Sequence, residues 1–173
     1  TALAIAREMG ILAPGEDPSA SVHARVTAEQ KIEIVRAPKA SGEIVALACR
    51  LRPLQATLVP ERREEVTTEG GLRVSSRDAR LRNAIRRLDE AGCRVSLFVD
   101  PVVDVIDAAK DLGVPAIELH TGDYAHHWRE GPVALEQLRH AASHAAELGL
   151  AVHAGHGLTY LNVREVAAVP EIE

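Results

Sequence analysis

Short runs of aliphatic and β-branched residues alternate along the chain with longer stretches that repeat apolar residues at helical spacing. The predicted strands are 20–25, 31–35, 55–60, 94–100, 116–121 and 151–155. Two stretches carry apolar residues at i, i+4 and i+7, and these are Leu81, Ile85 and Leu88, and Leu138, Ala142 and Ala145. Such spacing predicts helices with one buried face. The alternation of the two patterns indicates βα units around a parallel sheet.

Glycines mark the predicted ends of the helices. Gly92, Gly113 and Gly149 each follow a helical pattern and stand two or three residues before the next strand. Glycine is the residue that most often ends a helix. Connections this short suit either a barrel or a doubly wound sheet.

Polar residues at the carboxyl ends of the predicted strands decide between these two architectures. They are His23, Arg25, Glu33, Glu61, Asp100, Glu118, His120, His153 and His156. In a (β/α)₈ barrel all strand ends converge on one face, whereas a doubly wound sheet uses only those near its switch point. We therefore predict an α/β protein with a TIM-like (β/α)₈ barrel, incomplete here with six of eight strands, in a single domain of residues 1–173.

Composition and charge narrow the classes of function. The 173 residues include 46% hydrophobic residues and only four aromatic ones, and 20 basic against 25 acidic residues give a net charge of −5. Few stacking platforms and no basic excess argue against nucleic acid as a partner. The chain has no apolar run long enough to span a membrane and no signal-peptide pattern. Cys49 and Cys93 lack CxxC spacing, so we expect a reducing cytosol.

The segment 64–71, with the letters EEVTTEGG, follows the third predicted strand. Its hydroxyls can donate hydrogen bonds to an anionic ligand, and its glycines permit close approach of the backbone. An ordinary polar turn at the start of a helix is the alternative.

Glu118 and His120 lie two residues apart in a predicted strand and therefore on the same side of it. A carboxylate and an imidazole that face a barrel interior can tune each other for acid–base catalysis. The alternative is a structural hydrogen-bonded pair.

The segment 152–159, VHAGHGLT, joins two histidines to a glycine-rich turn. The amides of Gly155 and Gly157 can hold a phosphate beside a titratable imidazole. Zinc bound with His120, His126 or His127 is the competing interpretation. Because no HExxH or comparable spacing is present, we predict no metal site.

Together these blocks resemble the pyridoxine 5′-phosphate synthase family. The matching letters are LVPE at 58–61, EVTTEGGL at 65–72, VSLFVD at 95–100, ELHTG at 118–122 and AGHGLTY at 154–160. They follow the order found in the family, and the match is continuous from about residue 47 to residue 173.

The resemblance implies a TIM-like barrel that makes the vitamin B6 ring in the cytoplasm as a homo-oligomer, typically a homo-octamer. The implied substrates are 1-deoxy-D-xylulose 5-phosphate and 3-amino-2-oxopropyl phosphate. The implied products are pyridoxine 5′-phosphate, inorganic phosphate and water. The family requires no metal and no organic cofactor, and neither nucleic acid nor a membrane is an expected partner.

The resemblance also assigns roles to residues within the matching blocks. His156 corresponds to the proton donor, and Gly157 to a backbone contact with the phosphate of the aminoketone. Thr67 corresponds to a contact with deoxyxylulose phosphate, and Glu118 to the carboxylate that stabilises the transition state.

Upstream the matching segments are shorter. The letters VHAR at 22–25 resemble the VHxR strand end of the family, so that His23 corresponds to the general base and Arg25 to a contact with substrate phosphate. Glu33 corresponds to the second catalytic carboxylate. Gln30 stands near a position where the family has a further histidine.

Two strands of the family have no counterpart in the chain. These are the first strand, with its Asn-x-Asp-His motif, and the last, with its Gly-His phosphate contact. We expect the chain to begin in the first helix and to end before the eighth strand. Two alternatives therefore remain. One is a truncated, catalytically inactive barrel fragment that retains phosphate binding. The other is a different phosphosugar barrel enzyme, such as an isomerase or an aldolase.

Overall fold

The computed structural model describes residues 41–60 and 70–173. The chain divides into two compact units, Thr1–Leu51 and Arg52–Glu173. In the first unit the described element is helix α1, Ser41–Leu51. The predicted strands 20–25 and 31–35 lie outside the described residues, and the single domain stays a prediction.

The second unit contains a four-stranded sheet and five helices among its described residues. In chain order these elements are β1 Gln55–Leu58, α2 Ala79–Glu90, β2 Arg94–Val99, α3 Val103–Asp111, β3 Ala116–His120, α4 Gly122–His127, α5 Val133–Glu147, β4 Ala151–Gly155 and α6 Val163–Ala167. The four predicted strands that fall in this unit are confirmed, each to within two residues. Both helices predicted from apolar spacing are also present.

Local signals account for the bounds of α2. The carboxylate of Asp78 accepts hydrogen bonds from the backbone N–H groups of Arg80 and Leu81, at 2.8 and 3.1 Å, and so caps the first turn. Ile85 and Leu88 are buried. Beyond the helix, Gly92 adopts the left-handed φ of +84° that was expected of a helix stop.

All strand pairs are parallel, and the spatial order β1-β2-β3-β4 is the order along the chain. Since crossovers between parallel strands are almost always right-handed, this order places the intervening helices on one face of the sheet. The four described strands show no reversal of order of the kind that a doubly wound sheet needs. The structure is therefore an α/β fold with a singly wound parallel sheet.

The two faces of this sheet differ in composition. One face carries buried aliphatic side chains, and they are Val95, Leu97, Val99, Ile117, Leu119 and Val152. The helices α2 and α3 contact β2, and α5 contacts β4, so this face forms the core with their apolar stripes. The opposite face carries Ser96, Phe98, Glu118, His120 and His153.

The register aligns the polar face across the strands. Phe98 pairs with Glu118, and Glu118 pairs with His153, so these three side chains form one row. On the far side of β4, Ile172 forms a parallel bridge with Val152, and the N–H of Glu173 donates to the carbonyl of Val152 at 2.9 Å. The sheet thus continues past β4 in the same parallel sense.

Within residues 41–60 and 70–173, no helix combines the length and the apolar content that crossing a membrane requires.

The helix-facing side of the sheet leads to a first prediction. Leu119 is fully buried, whereas Leu161 is 71% exposed. We expect Leu119→Ala to lower the free energy of unfolding by about 2–5 kcal/mol, because it leaves a cavity between sheet and helices. The matched control Leu161→Ala should change it by less than about 0.5 kcal/mol. Urea titration measures both, and equal effects would contradict the packing described here.

Candidate acid–base site

The side chains that can take part in acid–base chemistry lie together at the carboxyl ends of β2, β3 and β4. Of the predicted site residues, the structure describes Glu118 on β3 and His156 and Gly157 just after β4. The four others, His23, Arg25, Glu33 and Thr67, lie outside the described residues. Parallel strands end at the same edge of a sheet, and this common edge explains the grouping.

Asp100, directly after β2, is the central acceptor of the group. Its Oδ1 accepts a hydrogen bond from the backbone N–H of Gly71 at 2.7 Å and lies 3.1 Å from Nδ1 of His120. An ionised carboxylate only accepts hydrogen bonds, so the proton in the second contact belongs to Nδ1. Asp100 therefore selects the Nδ1–H tautomer of His120 or its protonated form.

Gly71 lies directly against the backbone of β2. A Cβ built on Gly71 would lie 2.1 Å from the backbone nitrogen of Asp100 and 2.5 Å from the carbonyl carbon of Val99. The N–H of the next residue, Leu72, donates to the carbonyl of Phe98 at 2.7 Å. The sequence suggested that these glycines admit a ligand to the backbone. In the structure, the close approach of Gly71 is to the protein's own strand.

The ring of His120 is enclosed, with its side chain only 10% exposed. The ring of Phe98 meets it edge-on, with centroids 5.2 Å apart. Nε2 of His120 is buried and has no hydrogen-bond partner among the described residues. A Cβ on Gly122 would lie 2.6 Å from this Nε2, so only glycine leaves room for the ring.

His156 is held in an unusual backbone conformation. Its φ is +89°, in the left-handed region that non-glycine residues seldom adopt. Thr121 holds this turn at two points: its N–H donates to the carbonyl of Gly155 at 2.9 Å, and its hydroxyl donates to the carbonyl of His156 at 2.5 Å. The ring of His156 lies 4.9 Å from that of His120, centroid to centroid.

This surrounding lowers the pKa of His156 below its ordinary value of 6.5. Burial is the largest cause, and repulsion by the imidazoles of His120 and His126 adds to it. At neutral pH the ring is therefore mainly uncharged. Its protonated form is a stronger acid than an ordinary imidazolium.

Glu118 and His120 share one side of β3, as their spacing predicted. The described contacts give them different neighbours. His120 faces Asp100, while the carboxylate of Glu118 lies over β4, where a Cβ on Gly155 would come within 2.6 Å of its Oε1. The carboxylate therefore lies next to the residue that precedes His156.

Residues of α4 hold the loop that follows His156. Gly157, at φ +71°, packs so closely on α4 that a Cβ would lie 2.7 Å from that of Ala125. The hydroxyl of Tyr124 donates to the carbonyl of Asn162 at 2.7 Å. Burial, followed by the hydrogen bond with Glu165, raises the pKa of Tyr124 to about 12, so this donor stays protonated at physiological pH.

No three His, Cys, Asp or Glu side chains are grouped to hold a metal ion in the described part of the chain. Of the three histidines considered as zinc ligands, His126 and His127 have their Nδ1 atoms beside backbone carbonyls. Nδ1 of His126 lies 2.7 Å from the carbonyl of Gly122, and Nδ1 of His127 lies 2.9 Å from that of Asp123.

A parallel α/β protein with a carboxylate, two imidazoles and a glycine-rich turn at its strand ends is suited to moving protons on a small polar substrate. Comparison with known proteins gives the particular family. Residues 19–173 match the family described as pyridoxal phosphate biosynthesis protein PdxJ, and the chain belongs to that family.

Several curated relatives carry the name pyridoxine 5′-phosphate synthase. The protein from Gluconobacter oxydans (strain 621H) is 52% identical over 128 residues, which cover 74% of this chain and 54% of that protein. The protein from Aquifex pyrophilus is 50% identical over 127 residues, which cover 71% of this chain and 54% of that protein. The protein from Prochlorococcus marinus (strain MIT 9313) is 46% identical over 150 residues, which cover 86% of this chain and 60% of that protein. The chain thus spans a little over half the length of these relatives.

Two residues of this site were not singled out as functional from the sequence. Thr121 looked like a strand terminus, and Asp100 was one of many polar strand ends. Their partners are 35 and 20 residues away along the chain. A signal was available for Asp100, because it follows a buried strand directly. None pointed to the hydroxyl of Thr121.

The contact between Gly71 and β2 generates a second prediction. We expect Gly71→Ala to lower the free energy of unfolding by about 1–3 kcal/mol, because the new methyl group collides with backbone atoms that cannot move independently. Gly70→Ala is the matched control, since its Cβ would make only an ordinary contact of 3.8 Å with Asp100 Oδ2. Thermal unfolding compares the two, and an equal cost in both variants would argue against the close approach.

The lowered pKa of His156 generates a third prediction. The unfolded chain takes up a proton at this residue as the pH falls through 6.5, before the folded chain does. The residue therefore contributes full stability above pH 6.5, and this contribution declines as the pH falls towards the folded pKa. In His156→Asn, where asparagine tolerates the positive φ, the decline from pH 7.5 to 5.5 should be smaller. Urea unfolding at both pH values measures it, and an unchanged decline would contradict the shift.

Proposed function

We propose that this protein is a pyridoxine 5′-phosphate synthase, which condenses 1-deoxy-D-xylulose 5-phosphate with 3-amino-2-oxopropyl phosphate. The products are pyridoxine 5′-phosphate, inorganic phosphate and water. The observation that carries the proposal is the family match over residues 19–173. The grouping of His156, Glu118 and Gly157 at one sheet edge supports it. We also propose that the protein is a cytoplasmic homo-oligomer of eight copies, as the family resemblance implies.

The barrel belongs to this proposal. In a (β/α)₈ barrel, consecutive parallel strands are neighbours and every helix lies outside. The order β1-β2-β3-β4, the helices on one face, and the pairing of Ile172 beside β4 all support that architecture. The polar face with Ser96, Glu118 and His153 would then line the barrel interior.

The residue types suit the reaction. The amine adds to the ketone and water leaves, phosphate is eliminated, and a carbon–carbon bond closes the ring before a final dehydration. Each of these steps moves protons, and one positioned acid or base contributes about 10²–10⁴ in rate. We assign His156 as the proton donor and Glu118 as the carboxylate that stabilises cationic intermediates. The lowered pKa of His156 makes its imidazolium a stronger acid, and this protonated form is the minor one at neutral pH.

The remaining roles follow from the family resemblance alone. We propose His23 and Glu33 as general bases, Arg25 and Thr67 as contacts with substrate phosphate groups, and the backbone of Gly157 as a contact with the aminoketone phosphate. The left-handed turn at 156–157 supports the last assignment, because it leaves the amide of Gly157 in an exposed loop.

A fourth prediction tests this function. The purified chain should form pyridoxine 5′-phosphate from the two phosphorylated substrates. His156→Asn should reduce kcat by about 10²–10⁴, because the proton donor is lost. His140→Gln, on the exposed side of α5, is the control and should retain full turnover. Release of phosphate and appearance of the pyridinol chromophore measure the reaction.

Other outcomes favour the alternatives. A chain that binds inorganic phosphate without turnover would be an inactive barrel fragment. Turnover of other sugar phosphates alone would indicate an isomerase or aldolase instead. Full activity in His156→Asn would contradict the assignment of the proton donor.

A further inference from the structure

The end of β3 and the residue after it contact the turn at His156 in two ways. Thr121 contacts the backbone of that turn, through hydrogen bonds to the carbonyls of Gly155 and His156. His120, the last residue of β3, lies beside the ring of His156, at 4.9 Å between centroids. Two consecutive residues thus restrain both the backbone and the ring of one histidine.

His120 is itself rigidly placed. Asp100 fixes Nδ1, Phe98 packs against the ring, and Gly122 removes the side chain that would otherwise occupy the same space. Phe98 also reaches the ring of His156, with centroids 6.3 Å apart. Among the residues that the structure describes, the buried Nε2 of His120 has no hydrogen-bond partner. The fixed placement of the ring beside that of His156 suits a positioning role.

We propose that His120 and Thr121 are positioning residues for His156, with Thr121 holding its backbone and His120, oriented by Asp100, holding its ring. This inference rests on the proposed function for its effect on turnover, but the arrangement itself can be tested without substrate. Thr121 stabilises a backbone conformation, φ +89° at His156, that non-glycine residues seldom adopt. His120 adds a nearby imidazole that opposes protonation of His156.

Four ionisable groups lie at the strand ends and turns near His156: Asp100 after β2, Glu118 and His120 on β3, and His126 on α4. Of these, the imidazoles of His120 and His126 lower its pKa. Removing His120 takes away one of the two repelling imidazoles and leaves the other groups in place. The pKa of His156 should then rise towards its ordinary value.

The first experiment follows the Cε1–Hε1 signal of His156 by NMR against pH in the substrate-free chain. We expect its titration midpoint to lie below 6.5 in the wild type, to rise in His120→Gln, and to stay unchanged in the control His140→Gln. An equal midpoint in His120→Gln and the wild type would overturn the role of His120. If His120→Gln does not fold, His120→Asn carries the test, since it also removes the imidazole that opposes protonation of His156 and should also raise the midpoint.

The second experiment measures kcat and KM. Thr121→Val should lower kcat by about 10- to 100-fold with little change in KM, because His156 is displaced from its reacting position. Thr121→Ser retains the hydroxyl and should restore most of the rate. Asp100→Asn retains an acceptor for Nδ1 and should be more active than Asp100→Ala. Equal rates in Thr121→Val and Thr121→Ser would overturn the role of Thr121.

The two experiments separate failure of the function from failure of this inference. A wild-type chain that makes no product contradicts the proposed function, while the NMR midpoint still decides whether His120 acts on His156. If there is no turnover to measure, the role of Thr121 is tested by the backbone NMR chemical shifts of residues 155–157. These shifts should differ between Thr121→Val and Thr121→Ser. Identical shifts in the two variants would overturn the role of Thr121.

Discussion

The sheet register is the constraint on which the rest of the described structure depends. Because parallel partners place their side chains on the same side, the pairing of Phe98 with Glu118 and of Glu118 with His153 puts one row of polar and aromatic groups on one face. The residues between them supply the aliphatic face that helices cover. A shift of one residue in any strand would exchange the two faces, burying carboxylates against helices and exposing valines and leucines.

Asp100 connects that register to the site. One carboxylate oxygen accepts from Gly71 and from His120, and therefore joins the segment that leads into α2 to the end of β3. The adjacent Thr121 joins β3 to the turn after β4. Three strand ends are thereby linked by hydrogen bonds as well as by packing, which gives His156 a defined surrounding. Site residues that are supported by such contacts are held more accurately than those on unsupported loops.

His156 illustrates how stability and reactivity oppose each other here. Its positive φ disfavours the folded state, whereas the burial of its imidazole disfavours the protonated ring and so lowers its pKa. Strain and perturbed pKa values are common at functional sites, where neighbouring contacts compensate for them. Thr121 provides that compensation for the backbone, and the hydrogen-bonded Asp100–His120 pair fixes the ring that faces it.

Local periodicity and backbone preference predict the four strands of the described sheet, helices α2 and α5, and the helix ends at Gly92, Gly113 and Gly149. The sequence also places Glu118 and His120 on one side of β3, and it contains the family motifs. The contacts of His120 with Asp100, of Gly71 with β2 and of Thr121 with His156 are visible only in the folded chain. The physical reason is distance along the chain: these contacts join residues 20 to 35 positions apart, and only the packing of neighbouring strand ends brings them within hydrogen-bond reach.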